Sequence, residues 1–549
     1  MVSHGSGIDQ RRPSVAVPAP PGATLASFVL FAALAALLAM MYAASEWWNL
    51  AGSFGFPTDA AWARAVFSRN LASGEGLCFN RGIPVAGAAG SSWIALLAIT
   101  GFFAGKFLLT AKVLGTLCVI LAAYLVWHIS LRLLGDWRFA FLAALLVAAN
   151  PRMTAWGLSG TEATWAALAV MAVIHWQAVG REGGRYQRTL GAIAIGLAAL
   201  SRPELILLLP LALADRWLMM AAHEEPGHRL GSALRSIPEF FGALAVVTPF
   251  VVYNLRSGGP LWQQPEMALR SPATWAWAGV ALNGLWLDNP LLYCAALIGV
   301  PVVLVSVLRS RSQHPSLLLV LLPLTVVIFP GFIWPQASAE NGLFAAPYLT
   351  PIAAILGVSG LFLLYKGARQ FLFSEQPPIR RFAFSGAIGV TVAALLGFLV
   401  AAHPPTWREY GFQVKKVSDL QGFIGRWAAD HLAADASIAS REVGAIGFFS
   451  GRRMVDLGGT ISREGLAALS QSGSPDSNLL AYLQKTRPSH LAIRPSDFPD
   501  LSQRPDLLTP AVTCVVTDPF TGGVTTMALY ETPWPPLSVM EARAQAGRR

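Results

Sequence analysis

Just beyond its first apolar run the chain reads Gly55-Phe56-Pro57-Thr58-Asp59-Ala60-Ala61-Trp62-Ala63-Arg64-Ala65-Val66-Phe67-Ser68-Arg69-Asn70. The run before it, Thr24 to Ala44, is long enough to cross a bilayer, which takes about 20 apolar residues. An acid and two arginines at the end of such a span do nothing for the crossing itself. They predict a polar task at the membrane surface, and the reading of the rest of the chain follows from where that surface lies.

Hydrophobic residues make up 54% of the 549 positions and charged ones 13%, a balance outside the range of soluble globular chains. The composition predicts an α-helical polytopic membrane protein. The net charge of +10 arises from Lys and Arg in short clusters between apolar runs, the pattern of cytoplasmic loops, so no nucleic-acid partner is expected. The four cysteines (Cys78, Cys118, Cys294, Cys514) form no CxxC pair and indicate neither a zinc site nor a disulfide framework. Residues 1–23 read as a disordered cytoplasmic tail, with Arg11 and Arg12 ahead of a Pro-rich stretch. The first apolar run is too long for a signal-peptide core and is expected to stay as a span.

Placing the basic clusters inside and alternating the spans gives a consistent threading. The first span delivers Glu46 to Gly90 outside, Val113 to Leu131 returns to Arg132 and Arg138, and the outward and inward runs that follow end at Arg181, Arg185 and Arg188. Parity then requires Ser91 to Gly105 to be an interfacial or re-entrant helix on the outer face, within a set of outer-loop helices at 55–105. Ser201-Arg202-Pro203-Glu204 interrupts the run Thr189 to Ala214. Proline breaks a helix and an arginine at mid-bilayer costs roughly 3 kcal/mol, so two short spans with Arg202 near the outer apex are predicted. Continuing to Ala402 gives about eleven spans over residues 24–402, with the N-terminus cytoplasmic and the C-terminal part extracytoplasmic in the plasma (inner) membrane.

From His403 the charges return and the apolar runs shorten. Five strand-like pieces, Ser437 to Ser440, Arg453 to Leu457, His490 to Arg494, Val512 to Thr517 and Val524 to Glu531, surround a helical stretch at Leu420 to Leu432, with Thr521-Gly522-Gly523 as a hairpin turn. A small extracytoplasmic α/β domain over residues 403–535 is expected, followed by a disordered tail at 536–549.

The outer face then gathers Asp59, Arg64, Arg69, Glu75, Glu162, Arg202 and Glu204 from three loops. Carboxylates beside arginines suit a reaction in which a base removes a proton while cations hold a phosphate leaving group. His128 and His175, in apolar spans, read as packed residues. Trp47, Trp48, Trp62 and Trp93 read as part of an interfacial aromatic belt. Outer-loop Gln263, Gln264, Gln336, Glu340 and Asn341 stand by position alone as saccharide contacts.

Four pieces occur in order: Phe56-Pro57-Thr58-Asp59-Ala60-Ala61-Trp62 with the loop through Gly87, then Ser159-Gly160-Thr161-Glu162, then Ser201-Arg202-Pro203-Glu204, then Val443-Gly444-Ala445-Ile446-Gly447-Phe448-Phe449-Ser450-Gly451-Arg452-Arg453 with Asp456. Together they resemble the GT-C superfamily of membrane glycosyltransferases, which includes the protein mannosyltransferases and the lipid A aminoarabinose transferases. The resemblance implies transfer of a sugar from a polyprenyl-phosphate donor to a cell-envelope glycan, lipid or protein acceptor on the outer face, with inversion. It makes Asp59 the catalytic base, Glu162 an acid near the anomeric carbon, and Arg202, with Arg64 and Arg69, the donor-phosphate ligands. In the superfamily a second acid usually follows the first. Here that place holds Ala60, which admits the alternative of a non-catalytic GT-C-like scaffold or assembly partner. A divalent metal cation is the one cofactor the resemblance leaves open, and Glu75 has no histidine or second acid at ligand spacing.

Overall fold

The computed structural model describes residues 22–179, 185–223, 237–262, 289–309, 316–333, 347–373, 378–520 and 522–534, with single positions at 279, 282, 283 and 286. Both expected tails and Gln263, Gln264, Gln336, Glu340 and Asn341 lie outside the described residues, apart from Gly22 and Ala23.

The helices in chain order are α1 (Ala23–Asn49), α2 (Asp59–Ala72), α3 (Ser91–Ala104), α4 (Phe107–Leu134), α5 (Trp137–Ala148), α6 (Pro151–Leu158), α7 (Ala163–Val179) and α8 (Arg185–Ser201). A 3-10 turn, Pro203–Leu207, leads into α9 (Leu208–His223), α10 (Ile237–Arg256), α11 (Pro290–Arg309), α12 (Leu318–Ile333), α13 (Leu349–Phe373) and α14 (Pro378–Val417). Among the described residues five helices are long and apolar enough to cross a membrane: α1, α4, α10, α13 and α14, or six if α5 and α6, bent by 49°, form one broken span. Outward-facing Leu25, Val29, Met40, Val113 and Leu117 on α1 and α4 present apolar side chains to the surroundings, as lipid-facing helices do. The molecule is an integral membrane protein, mostly helical. The break at Arg202 falls between α8 and α9, where proline removes a donor and ends the helix.

The helix carrying the last expected crossing does not stop at Ala402. It runs on through Pro404 and Pro405 to Val417, then through a π turn, Ser418–Gly422, into α15 (Phe423–His431). At 1.5 Å per residue the fifteen residues after Ala402 extend about 22 Å beyond it. This rod carries a five-stranded sheet of order β2-β1-β3-β5-β4.

Its strands are β1 (Ser437–Ser440), β2 (Arg453–Asp456), β3 (His490–Ile493), β4 (Thr509–Thr517) and β5 (Val524–Glu531). β1 runs parallel to both β2 and β3, β5 runs antiparallel to β3, and β4 pairs antiparallel with β5 as the outer strand of a hairpin. Side chains alternate between two covered faces. Ile438, Met454, Ala492, Met527 and Leu529 face α15 and α16 (Val443–Ser450), and share a core with Ala63, Val66 and Phe67 of α2. Ala439, Leu491, Ile493, Ala528 and Tyr530 face the opposite side, onto α18 (Pro475–Thr486) and α19 (Pro499–Ser502), while α17 (Arg463–Leu469) follows β2.

The loop after α1 is therefore a hub. Asn70 donates to the carbonyls of Cys78 and Phe79 (3.0 and 2.8 Å), Tyr253 of α10 to Leu77 O (2.7 Å), and Ser91 and Ser92 to the last carbonyls of α8 (3.3 and 3.2 Å). Two tryptophans assigned to the interfacial belt belong to this hub instead. Trp62 is packed against Phe56, Phe448 and Phe449, and Trp93 donates to Gly160 O at 2.9 Å with no exposure at all. An indole buried with its N–H satisfied stabilises more than one left at an interface, which explains the correction. Trp47 and Trp48 are exposed at the end of α1.

Candidate active site

Helix α2 starts at Asp59 because Thr58, in an extended conformation, caps it: its hydroxyl accepts from Ala61 N–H at 3.4 Å. That start leaves the half-buried carboxylate of Asp59 in the first turn, facing a second helix N-terminus. Oδ2 accepts from Gly444 N–H at 2.8 Å and Oδ1 from Ala445 N–H at 2.9 Å. Helix α16 lacks a cap of its own, since its N-cap residue Glu442 makes no side-chain bond there. Asp59 supplies the missing acceptors across 385 residues of sequence, and the positive end of the α16 dipole favours the charge. A Cβ on Gly444 would lie 2.0 Å from the Asp59 carbonyl oxygen, so only glycine lets the two helices approach this closely.

Five residues along α2, Arg64 points to the other acid. Its Nε and Nη2 donate to Glu162 Oε2 and Oε1 at 2.8 and 3.4 Å, and Nη1 donates back to Ala60 O at 3.1 Å. Arg202 Nη1 lies 3.6 Å from Glu162 Oε1, and its Nε donates to Glu204 Oε1 at 2.6 Å. Tyr348, before α13, donates to the same Glu204 oxygen at 3.0 Å. Glu162 itself begins the first turn of α7, its carbonyl accepting from Ala166 N–H at 2.8 Å. Gly90, at φ +72°, leaves room for the Glu162 carboxylate, which would lie 3.1 Å from a Cβ there.

The cluster joins α2, the α6–α7 turn, the α8–α9 break and α13 in one chain of contacts, with Arg64, Glu162 and Glu204 each at most 6% exposed. Burial alone would raise the Glu162 carboxyl, but the Arg64 and Arg202 guanidiniums beside it outweigh that and hold it below the ordinary carboxylate range. Burial would likewise deprotonate Arg202, and Glu204 and Glu162 overcome it, raising its pKa. Two arginines face two glutamates, so the formal charges of the set cancel.

Arg69 stands outside that chain of ion pairs. Its guanidinium carbon lies 5.1 Å from the centre of the Phe448 ring, its Nε is buried without a partner, and burial followed by Arg81 lowers its pKa. Glu75 is exposed on the turn after α2 and does not join Glu162. Among the described residues no group of three or more His, Cys, Asp or Glu side chains is placed to hold a metal ion. His128 and His175 bond to each other at 3.0 Å, between α4 and α7.

Three participants carry little sequence signal. Tyr348 reads as one residue within the apolar run Leu343 to Tyr365. Glu46 and Lys112, flanking spans on either side of the first loop, form a buried pair at 2.8 Å, with Lys112 also donating to Leu158 O and Tyr410 Oη at 3.0 Å each. Glu46 Oε1 in turn accepts from Gly55 N–H at 2.5 Å. A lysine directly before an apolar run is the one hint that could have flagged this pair, because an unpaired ammonium would not be placed there.

Residues 409–535 match a family model described as a domain of unknown function, DUF8728. By sequence, no curated protein matches the chain. By structure the chain is similar to the apo oligosaccharyltransferase of Archaeoglobus fulgidus, with a TM-score of 0.55 and 13% identity over 94% of this chain and 76% of that one. A second structure of the archaeal enzyme, AglB in complex with an inhibitory peptide and a dolichol-phosphate, gives 0.54 and 12% over 94% and 75%. ArnT from Cupriavidus metallidurans, bound to undecaprenyl phosphate, gives 0.56 and 14% over 91% and 97%. The chain thus shares its fold, along nearly its whole length, with these solved membrane glycosyltransferases.

Proposed function

We propose that this protein transfers a sugar from a polyprenyl-phosphate donor to a cell-envelope acceptor on the extracytoplasmic face, with inversion at the anomeric carbon. The observation that carries the reading is the buried chain Arg64–Glu162–Arg202–Glu204, which brings together three segments picked out by the sequence and ties them to the helix bearing Asp59. The ArnT neighbour binds an undecaprenyl phosphate and the archaeal neighbour a dolichol-phosphate, which supports a lipid phosphate as the donor's leaving group here.

Asp59 is the base. A carboxylate offers about four lone-pair sites, and the two Asp59 oxygens each spend one on an α16 N–H, which fixes their direction. The attacking hydroxyl gives its proton to Asp59, its oxygen bonds to the anomeric carbon, and the bond from that carbon to the phosphate oxygen breaks. The polyprenyl phosphate leaves as a dianion, so it needs cations more than it needs a proton. Arg202 supplies that charge, with Arg64 and Arg69. Glu162 points its oxygens at Arg64 and Arg202, and its role is to aim the two guanidiniums within reach of the anomeric centre.

Asp59→Asn tests the reading: transfer from lipid-linked sugar in proteoliposomes falls at least a hundred-fold while the protein still inserts and purifies. Retained turnover removes Asp59 as base. The second reading, a non-catalytic scaffold, is favoured by Ala60 in place of the second acid. It expects Asp59→Asn to be silent in cells.

A further inference from the structure

The three parallel strands end at one edge of the sheet, and the loops leaving β1 and β3 turn to opposite faces: β1 leads into α16 on the side of α2, β3 into α19 on the other side. Diverging loops at the carboxyl ends of adjacent parallel strands leave a crevice between them, the place where open α/β sheets bind ligands. Here the crevice is crossed by two ion pairs running in opposite senses. Arg494 after β3 donates to Glu442 after β1 at 2.6 Å, and Arg441 after β1 lies 3.4 Å from Asp497 after β3. All four side chains keep solvent access, from 18% for Glu442 to 37% for Arg494, and Arg494 Nε is left without a partner. The carboxyl end of β2 closes the third side, where a Cβ on Gly458 would lie 2.6 Å from Arg441 O.

Two residues beyond Glu442, Gly444 donates to Asp59. Two residues of chain span at most about 7 Å, so the crevice lies beside the base. We propose that it binds the acceptor, a neutral hydroxyl-rich glycan, and delivers one hydroxyl to Asp59. This rests on the transferase reading above. Two guanidiniums and two carboxylates cancel in charge, which disfavours a phosphate or a polyanion. They present planar donors and acceptors at a spacing suited to neighbouring hydroxyls. The site belongs to the sheet rather than to the spans, so it is approached from water, while a lipid-linked donor arrives through the membrane.

The test uses the full-length protein in nanodiscs, titrated with short oligomers of glucose, galactose, mannose and arabinose by saturation-transfer NMR. Wild type binds at least one oligomer. Arg494→Ala and Arg441→Ala each weaken that binding at least ten-fold, Arg494→Lys less so, and all three leave undecaprenyl phosphate binding and the thermal midpoint as in wild type. Wild-type affinity in both alanine variants, loss of lipid-phosphate binding instead, or no binding of any oligomer by wild type overturns the proposal. Asp59→Asn separates the two readings: oligomer binding that survives in wild type and Asp59→Asn, with no transfer by either, keeps the crevice and removes the transferase.

Discussion

At Glu162 the decisive fact is charge rather than position. A carboxylate this buried would ordinarily take up a proton, and the two guanidiniums facing it prevent that. Its folded pKa is depressed, so by linkage its contribution to stability is complete above the ordinary carboxyl value of 4.5 and is lost as pH falls through the lower folded value. Glu162→Gln should therefore unfold more easily than wild type by a margin that is constant from neutral pH down to 4.5 and shrinks below it. Thermal unfolding of the two proteins across that range measures the margin. A margin that closes at neutral pH would mean that Glu162 is protonated and cannot aim the arginines.

Between elements, the contact of α2 with α16 decides whether the sheet sits over the site. Three features cooperate there: the Asp59 carboxylate, the N-terminus of α16 without its own cap, and a glycine where a side chain would strike backbone. Gly444→Ala adds a methyl group 2.0 Å from the Asp59 carbonyl oxygen and must push the helices apart. The expected outcome is a correctly inserted protein in which the segment between α15 and β1 becomes sensitive to protease, and transfer is lost although Asp59 is intact. Protease resistance equal to wild type would show that the contact is loose in solution. This contact also marks where sequence reading stops. The motif Val443 to Arg453 was legible as a run of small and aromatic residues resembling the superfamily. That its second and third N–H groups, of Gly444 and Ala445, bind Asp59 was not, because backbone donors leave no trace in a sequence. The strands, the break at Arg202 and the apolar runs were legible, since alternation, proline and hydropathy are local properties. The continuation of α14 past Ala402 was not, because Pro404 and Pro405 argue locally for an end that tertiary packing overrides: His403 between them and the span bonds Ala149 O at 3.0 Å and Tyr42 at 3.1 Å.

Across the whole molecule, a polar pin ties the helical body to α14, the helix that leads on to the sheet. Lys112 in α4 and Tyr410 in α14 each reach both Glu46 Oε2 at the end of α1 and the carbonyl of Leu158, joining parts of the chain more than 360 residues apart. Glu46 is fully buried and Lys112 nearly so. A buried pair of this kind contributes little over an apolar pair of the same volume, yet removing one partner leaves an uncompensated charge and costs about 3–5 kcal/mol. Lys112→Met should therefore destabilise strongly and release α14, while Glu46→Gln combined with Lys112→Met recovers most of the loss. Unfolding of the two variants in one detergent, followed by tryptophan fluorescence, gives the comparison. Equal destabilisation by the single and double changes would mean that the pin acts through the Lys112 bond to Leu158 O rather than through charge.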